Sequence, residues 1–277
     1  MAKRYTKSEV LQRLRREVES KKPLLMFGAG IGLTAKCAEI GGADLIGVYS
    51  TAMVRMKGLP SLLAWLPYSN VNEDLLSLAR QILPVVKQTP LIAGVGAHDA
   101  SLDINHFLDT LKDMGFSGVT NEPFAAMYGP HFLKELEKSG IGFSRELELI
   151  RTASQKNMVT VAWCMSPEQT KEMAEAGADV IGAMVGVTSG GLTGTAENDN
   201  LDDSIDQINV MKEVAMSVNP DIIVLTHGGP FNDVSSAAYS IQYTHAHGYA
   251  AGSSGERIPT ESAVIDITKK YKNIQLQ

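Results

Sequence analysis

Eight short apolar runs of β type alternate with longer helical patterns along the 277-residue chain. This alternation is typical of parallel strands joined by crossover helices. Several of the helical patterns stop at glycine, as helix ends commonly do. The strand runs are LLMFGAG (24–30), DLIGVYS (44–50), PLIAGVG (90–96), SGVTNEP (117–123), VTVAWCM (159–165), DVIGAMVG (179–186), DIIVLTHGG (221–229) and YAAGSS (249–254).

An internal similarity favours a closed barrel. KCAEIGGADLIGVYS (36–50) resembles EMAEAGADVIGAMVG (172–186), four strand–helix units further on. Two similar halves are expected of an eightfold barrel. An open, doubly wound sheet is the alternative, but eight consecutive units without an obvious reversal favour closure. We therefore predict an α/β protein with a single (β/α)8 TIM barrel over residues 23–277 and an extra helix, in residues 1–22, that packs on it.

Composition and charge narrow the class of partner. The net charge is −6 with neutral histidines, and the basic residues are dispersed except for a cluster near the N-terminus. Nucleic-acid binding needs a concentrated positive face. The N-terminus lacks the apolar core of a signal peptide, and no apolar run approaches a membrane span. Cys37 and Cys164 are far apart, which argues against a disulfide framework. We expect a cytoplasmic protein that binds neither nucleic acid nor membrane.

The loops after the strands are the expected site of function, because in this fold they form one rimmed cup. The loops after the seventh and eighth strands, HGGP and GSSGER, commonly hold phosphate through backbone N–H groups. The alternative is that their glycines only form turns, and a carboxylate can replace the phosphate. An anion site here would use Gly228, Gly229, Ser253 and Ser254.

The loop after the first strand, GAGIG, adds a third segment rich in N–H groups through Gly28 and Gly30. It is not a dinucleotide fingerprint, because the G-x-G-x-x-G spacing and an acidic residue ending the second strand are absent from the sequence. Glu256 and Arg257 either pair with each other or leave Arg257 free to bind the substrate. The loops at the C-terminal ends of the strands, which are rich in N–H groups, therefore predict a small anionic substrate.

Three rim residues are candidates for catalysis: Asp99, Glu122 and His227. A carboxylate at a strand end can hold Mg²⁺ together with waters and substrate oxygens, or it can act as a general base. Asp99 has an alternative role as the N-cap of the following helix. A cap is less natural for Glu122, which precedes Pro123. The alternative for His227 is a hydrogen-bonded core histidine.

The second connection, residues 50–69, is long for this fold. It combines the cations Arg55 and Lys57 with Trp65 and other apolar residues. Long apolar connections often form active-site lids, and the cations would suit an acidic substrate. An exposed apolar segment can equally mark a subunit interface. Both interpretations stay open at this stage.

The segments as a set resemble the phosphoenolpyruvate hydrolase-like family of predicted TIM-barrel enzymes, which is similar to the C-terminal half of Tm-1-type plant virus-resistance proteins. The resemblance covers roughly residues 8–270. It implies a phosphoenolpyruvate/pyruvate-type barrel, a homo-oligomer, that acts on a small 2-oxo acid or enol phosphate. The motifs are GAGIGLTAKCAEIGGADLI, YSTAMVRMKGLPSLLAWLPYSN, VKQTPLIAGVGAHD, GADVIGAMVGVTSGG, LTHGGP and GSSGERIPTE.

The same resemblance implies a Mg²⁺-dependent hydrolase or lyase. Asp99 and Glu122 are then the candidate metal ligands, and Arg55 or Arg257 the candidate partner of the substrate carboxylate. The sequence departs from the characterised mutases and lyases of the wider superfamily in lacking their K-K-C-G-type lid segment. One alternative is a metal-free phosphate-binding enzyme of the indole-glycerol-phosphate-synthase type, although no strand run contains the lysine that a Schiff base needs. Another is a non-catalytic sensing or interaction barrel.

Overall fold

The computed structural model describes residues 2–196 and 200–276 and is a closed barrel of eight parallel strands. Each strand pairs with the next one, and β8 closes the barrel on β1 with Gly248 opposite Leu24. The predicted (β/α)8 fold is confirmed; residues 1, 197–199 and 277 of the predicted domains lie outside the described residues. The strands are β1 (Leu24–Ala29), β2 (Leu45–Val48), β3 (Leu91–Gly94), β4 (Gly118–Thr120), β5 (Val159–Cys164), β6 (Val180–Met184), β7 (Ile223–His227) and β8 (Gly248–Ala251).

Helices surround the barrel. The second and fourth connections hold two helices each and a short 3₁₀ turn, Ser61–Trp65 and Ala125–Tyr128 respectively. No helix in the described part of the chain is long and apolar enough to cross a membrane. The helices are α1 (Lys7–Glu19), α2 (Gly32–Ile40), α3 (Ser50–Met56), α4 (Val71–Ile82), α5 (Ile104–Met114), α6 (Gly129–Lys138), α7 (Phe143–Gln155), α8 (Pro167–Glu175), α9 (Leu201–Val218), α10 (Val234–Thr244) and α11 (Arg257–Lys272).

The strands are buried on both faces, which explains why they read as continuous apolar runs in the sequence. In β5, Val159, Val161 and Trp163 belong to the core inside the barrel. The alternate residues Ala162 and Cys164 belong to the core between the strands and the helices. The side-chain alternation of β structure therefore separates an inner layer from an outer one.

Helix α1 lies across the N-terminal end of the barrel. Its start is fixed by a capping box, in which the Thr6 side chain accepts from the Glu9 N–H and Glu9 bonds back to Thr6. Val10 and Leu14 are fully buried against the first residues of several strands, including Leu24. This end is closed by packing, so the functional cup lies at the other end.

Candidate active site

A small cavity opens at the C-terminal ends of the strands. Its walls come from the ends of β2 and of β4 to β8. The space open to the centres of water molecules is about 40 Å³, room for a few waters or a small ligand. Of the residues predicted for the site, the cavity wall includes Arg55, Glu122, His227 and Ser253.

Residues 50–69 cover this cavity. Ser61 and Trp65, from the 3₁₀ turn, form part of its wall. Trp65 Nε1 donates a hydrogen bond to the Phe124 carbonyl at 2.7 Å, and the two rings pack edge to face with centroids 5.5 Å apart. The segment therefore has the position expected of a lid.

Arg55 and Glu256 form a buried ion pair beside the cavity. Arg55 Nε donates to Glu256 Oε2 at 2.7 Å, and the two side chains are 3% and 0% exposed. Arg55 also donates to the Gly28 carbonyl, while Glu256 accepts from the Gly30 N–H at 2.7 Å. The two glycines of the first loop therefore hold the ion pair rather than an external anion.

Two glycines make room for the Tyr49 ring. A Cβ atom on Gly28 would lie 1.9 Å from the Tyr49 hydroxyl, and one on Gly94 would lie 2.3 Å from Tyr49 Cβ. Burial raises the pKa of Tyr49 to about 12, so the phenol stays protonated and can donate. The Arg55 guanidinium lies 5.9 Å from the ring centroid. Tyr49 thus presents a neutral donor at the wall of the cavity.

Glu122 is a buried carboxyl group at the end of β4. The Thr51 hydroxyl donates to Glu122 Oε1. Burial raises the pKa of Glu122 to about 7, although the Thr51 hydrogen bond and the Arg55 charge act in the opposite direction. A carboxyl group with this pKa can gain or lose a proton near neutral pH, which suits acid–base chemistry.

A second buried carboxyl group, Glu146 on α7, positions the loop that follows β4 and carries Glu122. Glu146 accepts hydrogen bonds from Asn121 Nδ2 at 2.5 Å and from the Ala125 N–H at 2.6 Å. Asn121 Oδ1 in turn accepts from the Trp163 backbone N–H at 2.8 Å. Burial raises the pKa of Glu146 to about 8. The network ties the loop that carries Glu122 to the neighbouring strand β5.

His227 presents one ring nitrogen to the cavity. Its Nδ1 lies 2.6 Å from the Ala250 carbonyl oxygen. Since a carbonyl only accepts, Nδ1 carries the proton and Nε2 is left as an acceptor. Burial lowers the pKa of His227 to about 4, so the ring is neutral at physiological pH. Its centroid lies 4.9 Å from that of Trp163.

Asp99 lies outside the cavity wall. It accepts from the backbone N–H of Ser101 at 3.0 Å and from the Ser101 hydroxyl at 2.6 Å, which lowers its pKa. Asp99 therefore stabilises the turn after β3 and is not brought together with Glu122. The N-cap of the following helix α5 is Asp103, which accepts from the His106 N–H at 3.0 Å. The alternative role predicted for Asp99, the N-cap of the next helix, therefore belongs to Asp103, four residues further along the chain.

The double glycine after β7 packs against the loop after β6. The Gly229 N–H donates to the Gly186 carbonyl at 3.0 Å, so it is not available to an anion. A Cβ atom on Gly228 would lie 2.0 Å from the same carbonyl oxygen. The Ser254 hydroxyl bonds to a tyrosine of β8, whereas Ser253 lines the cavity. The turn interpretation of the two glycines is the one the structure supports.

Arg257 points away from the cavity. Its Nη1 donates to Glu261 Oε1 at 2.8 Å and its Nη2 to the Gly190 carbonyl at 2.9 Å. The pair suggested between Glu256 and Arg257 is not formed, because Glu256 pairs with Arg55 instead. Arg55 is consequently the arginine that can contact a ligand in this cavity.

The donor atoms at this cavity do not fit a resident Mg²⁺ ion. Mg²⁺ needs six oxygen ligands, usually one or two carboxylates with waters and substrate oxygens. Among residues 2–196 and 200–276 no group of three or more His, Cys, Asp and Glu side chains is placed to hold a metal. Of the nearby carboxylates, Glu256 has both oxygens bonded, to the Gly30 N–H and to Arg55, and Glu122 is bonded to Thr51 through one oxygen.

The sequence alone did not identify Tyr49, Thr51 or Trp163 as site residues. For Trp163 a signal exists, because strand alternation places Val159, Val161 and Trp163 on the inner face and Trp163 lies nearest the functional end. For Thr51 the signal is absent, since its role depends on contact with Glu122, 71 residues away.

Comparison with known proteins gives a family and several relatives. The sequence model described as phosphoenolpyruvate hydrolase-like matches residues 9–274. Two Solanum lycopersicum proteins, ToMV susceptible protein tm-1(GCR26) and ToMV resistance protein Tm-1(GCR237), are 37% and 36% identical over 269 residues. The putative transcriptional regulatory protein y4pA of Sinorhizobium fredii is 29% identical over 272 residues. These matches cover 97%, 97% and 98% of this chain, but 36%, 36% and 44% of the relatives.

Solved structures share the fold. Phosphonopyruvate hydrolase in complex with oxalate and Mg²⁺ aligns with a TM-score of 0.64 at 16% identity, covering 97% of this chain and 87% of that one. The 2,3-dimethylmalate lyase, a PEP mutase/isocitrate lyase superfamily member, aligns with a TM-score of 0.59 at 15% identity, covering 97% and 88%. At such identities the likeness establishes the (β/α)8 barrel architecture alone.

Proposed function

Because the chain belongs to the phosphoenolpyruvate hydrolase-like family, we propose that it is a hydrolase or lyase acting on a small 2-oxo acid or enol phosphate. One observation carries the proposal: two buried titratable groups, Glu122 and His227, line one cavity and have pKa values moved apart, to about 7 and about 4. Separation of this kind is how a site assigns acid and base roles to neighbouring groups.

The two groups have complementary roles in the proposed reaction. Neutral His227 offers Nε2 as an acceptor for the proton of a water molecule or of a substrate hydroxyl. Protonated Glu122 can donate its proton to an oxygen that gains negative charge. The Arg55 guanidinium and the Ser253 hydroxyl supply donors for a carboxylate. No step depends on a divalent cation, since the donor set does not fit one.

The proposal is tested by turnover. Phosphoenolpyruvate, phosphonopyruvate and a panel of 2-oxo and 2-hydroxy acids are assayed for release of phosphate or of a 2-oxo acid. Glu122→Gln and His227→Gln are each expected to lower kcat/KM by at least about 100-fold, the usual contribution of an acid or base. The control is Glu172→Gln, an exposed carboxylate on α8. Absence of turnover across the panel, or full activity of Glu122→Gln, would refute the proposal.

A sensing barrel is the second candidate, favoured by the names of the relatives, which are a virus-resistance protein and a putative transcriptional regulatory protein. This function predicts saturable binding of a small acid by the same cavity without chemical conversion. Binding of a panel member measured by calorimetry, with the recovered ligand unchanged after prolonged incubation, distinguishes it from catalysis.

A further inference from the structure

Trp163 carries a hydrogen-bond donor that the protein leaves unused. The side chain lines the cavity, the residue is 3% exposed, and its Nε1–H has no partner among the described residues. A buried N–H without a partner is costly and usually meets an ordered water or a ligand. The ring itself is held in place, because a Cβ on the adjacent Gly182 would lie 2.3 Å from Trp163 Cε3.

Arg55 has N–H groups left over as well. Its Nε bonds to Glu256 and its Nη2 to the Gly28 carbonyl, while Nη1 makes no hydrogen bond to the described part of the chain. A Cβ atom built on Gly252 would lie 3.5 Å from Arg55 Nη1 and 3.8 Å from His227 Nε2. Because Gly252 has no side chain, this part of the cavity stays empty, and both the Arg55 Nη1 donor and the His227 Nε2 acceptor face it.

From this arrangement we infer that the cavity binds a small monocarboxylate bearing a 2-oxo or 2-hydroxy group directly, with no divalent cation between protein and acid. The Arg55 and Trp163 N–H groups donate to the oxygens of the acid, and His227 Nε2 accepts from a hydroxyl. The inference rests on the proposed function, because it takes this cavity as the active site.

The charges around the cavity favour a monoanion. Glu256 neutralises Arg55, so the buried pair contributes no net positive charge. A doubly charged phosphate would lack a countercharge, whereas a single carboxylate is matched by the unused N–H groups. The space, about 40 Å³ for the centres of water molecules, suits an acid of two to three carbon atoms rather than a sugar phosphate.

The test is direct binding in the absence of metal. Pyruvate, glycolate and oxalate are titrated into the protein by calorimetry and by tryptophan fluorescence, once with EDTA and once with Mg²⁺. We expect at least one monocarboxylate to bind with dissociation constants that agree within about two-fold between the buffers. Trp163→Phe, which keeps the ring and removes the N–H, is expected to weaken binding at least about 10-fold.

Gly252→Ala gives an independent check, because the added methyl group fills the point between Arg55 and His227. It is expected to abolish binding while the melting temperature changes little. Binding that requires Mg²⁺ would overturn the inference and leave the proposed enzyme function standing. Failure of every acid to bind in both buffers would also overturn it, and turnover of a phosphorylated substrate would then show that the proposed function survives. Unchanged affinity in both variants would equally refute it.

Discussion

The buried carboxyl group of Glu146 should make stability depend on pH. Burial raises its pKa from 4.5 to about 8, against the opposing hydrogen bonds from Ala125 and Asn121. A raised folded-state pKa means that the native protein holds a proton that the unfolded chain has lost. The contribution of Glu146 to stability is therefore fully present below pH 4.5 and is lost as the pH rises through 8.

The loss of stability caused by Glu146 is best measured between pH 6.5 and pH 8. There the His227 contribution, which arises between its folded pKa of about 4 and its ordinary value of 6.5, is nearly complete, and the remainder, about 0.4 kcal/mol, has the opposite sign. Linkage with pKa values of 4.5 and about 8 gives a loss on the order of 2 kcal/mol in the free energy of unfolding across this interval. Glu122, with a pKa of about 7, adds a smaller loss of the same sign.

Urea denaturation of the wild type, Glu146→Gln and Glu148→Gln at pH 6.5 and pH 8 measures this loss. Glu148 lies on the same helix α7 but is exposed, so it is the matched control. The amide introduced by Glu146→Gln loses one hydrogen bond at every pH, because it faces the Asn121 donor. The informative quantity is therefore the pH slope, which should shrink in Glu146→Gln and persist in Glu148→Gln. An unchanged slope in Glu146→Gln would refute the reasoning.

Three further substitutions probe the site. Glu256→Gln leaves the Arg55 charge buried without a partner and should lower the free energy of unfolding by about 3–5 kcal/mol, measured by urea denaturation; a loss below about 1 kcal/mol would contradict the role of the pair. Gly28→Ala places a methyl group 1.9 Å from the Tyr49 hydroxyl and should lower the melting temperature and displace that ring, seen in a crystal structure. Asp99→Asn should leave kcat/KM within about three-fold of the wild type in a turnover assay, since Asp99 holds a turn outside the cavity; a larger loss would return it to the active site.

The fold follows from the sequence because its signals are local. Seven of the eight strand runs contain an observed strand, the eighth begins one residue after the start of β8, and the runs extend past the strands at the functional end. The fourth shows why: β4 covers Gly118–Thr120, whereas the run continues to Pro123. The extra residues Asn121 and Glu122 leave the sheet to bond to Glu146 and Thr51. Their apolar neighbours make them resemble strand, while their partners lie on other elements.

The candidate site was predictable only in part. The position of a residue at the end of a strand shows that it lies near the site, but not which side chain it contacts. Placement at the rim was enough to select Arg55, Glu122 and His227. The pairing of Arg55 with Glu256 joins residues 201 positions apart, and Glu256 has an adjacent arginine that is an equally plausible partner in the sequence. Burial does not distinguish the two arginines, which are 3% and 4% exposed. The tertiary fold does, because it brings Arg55 to Glu256 and turns Arg257 towards Glu261.

The glycines at the C-terminal ends of the strands show how packing uses the backbone groups that the sequence assigned to an anion site. Gly28 admits the Tyr49 ring, Gly30 bonds to Glu256, and Gly229 bonds to Gly186. In each case the space or the N–H group at the glycine is already used by a neighbouring loop, so an anion cannot use it. The donors that remain at the cavity belong to side chains, which fix the number and direction of their N–H groups. Selectivity for an acid should therefore follow changes at those side chains more closely than changes at Gly28, Gly30 and Gly229.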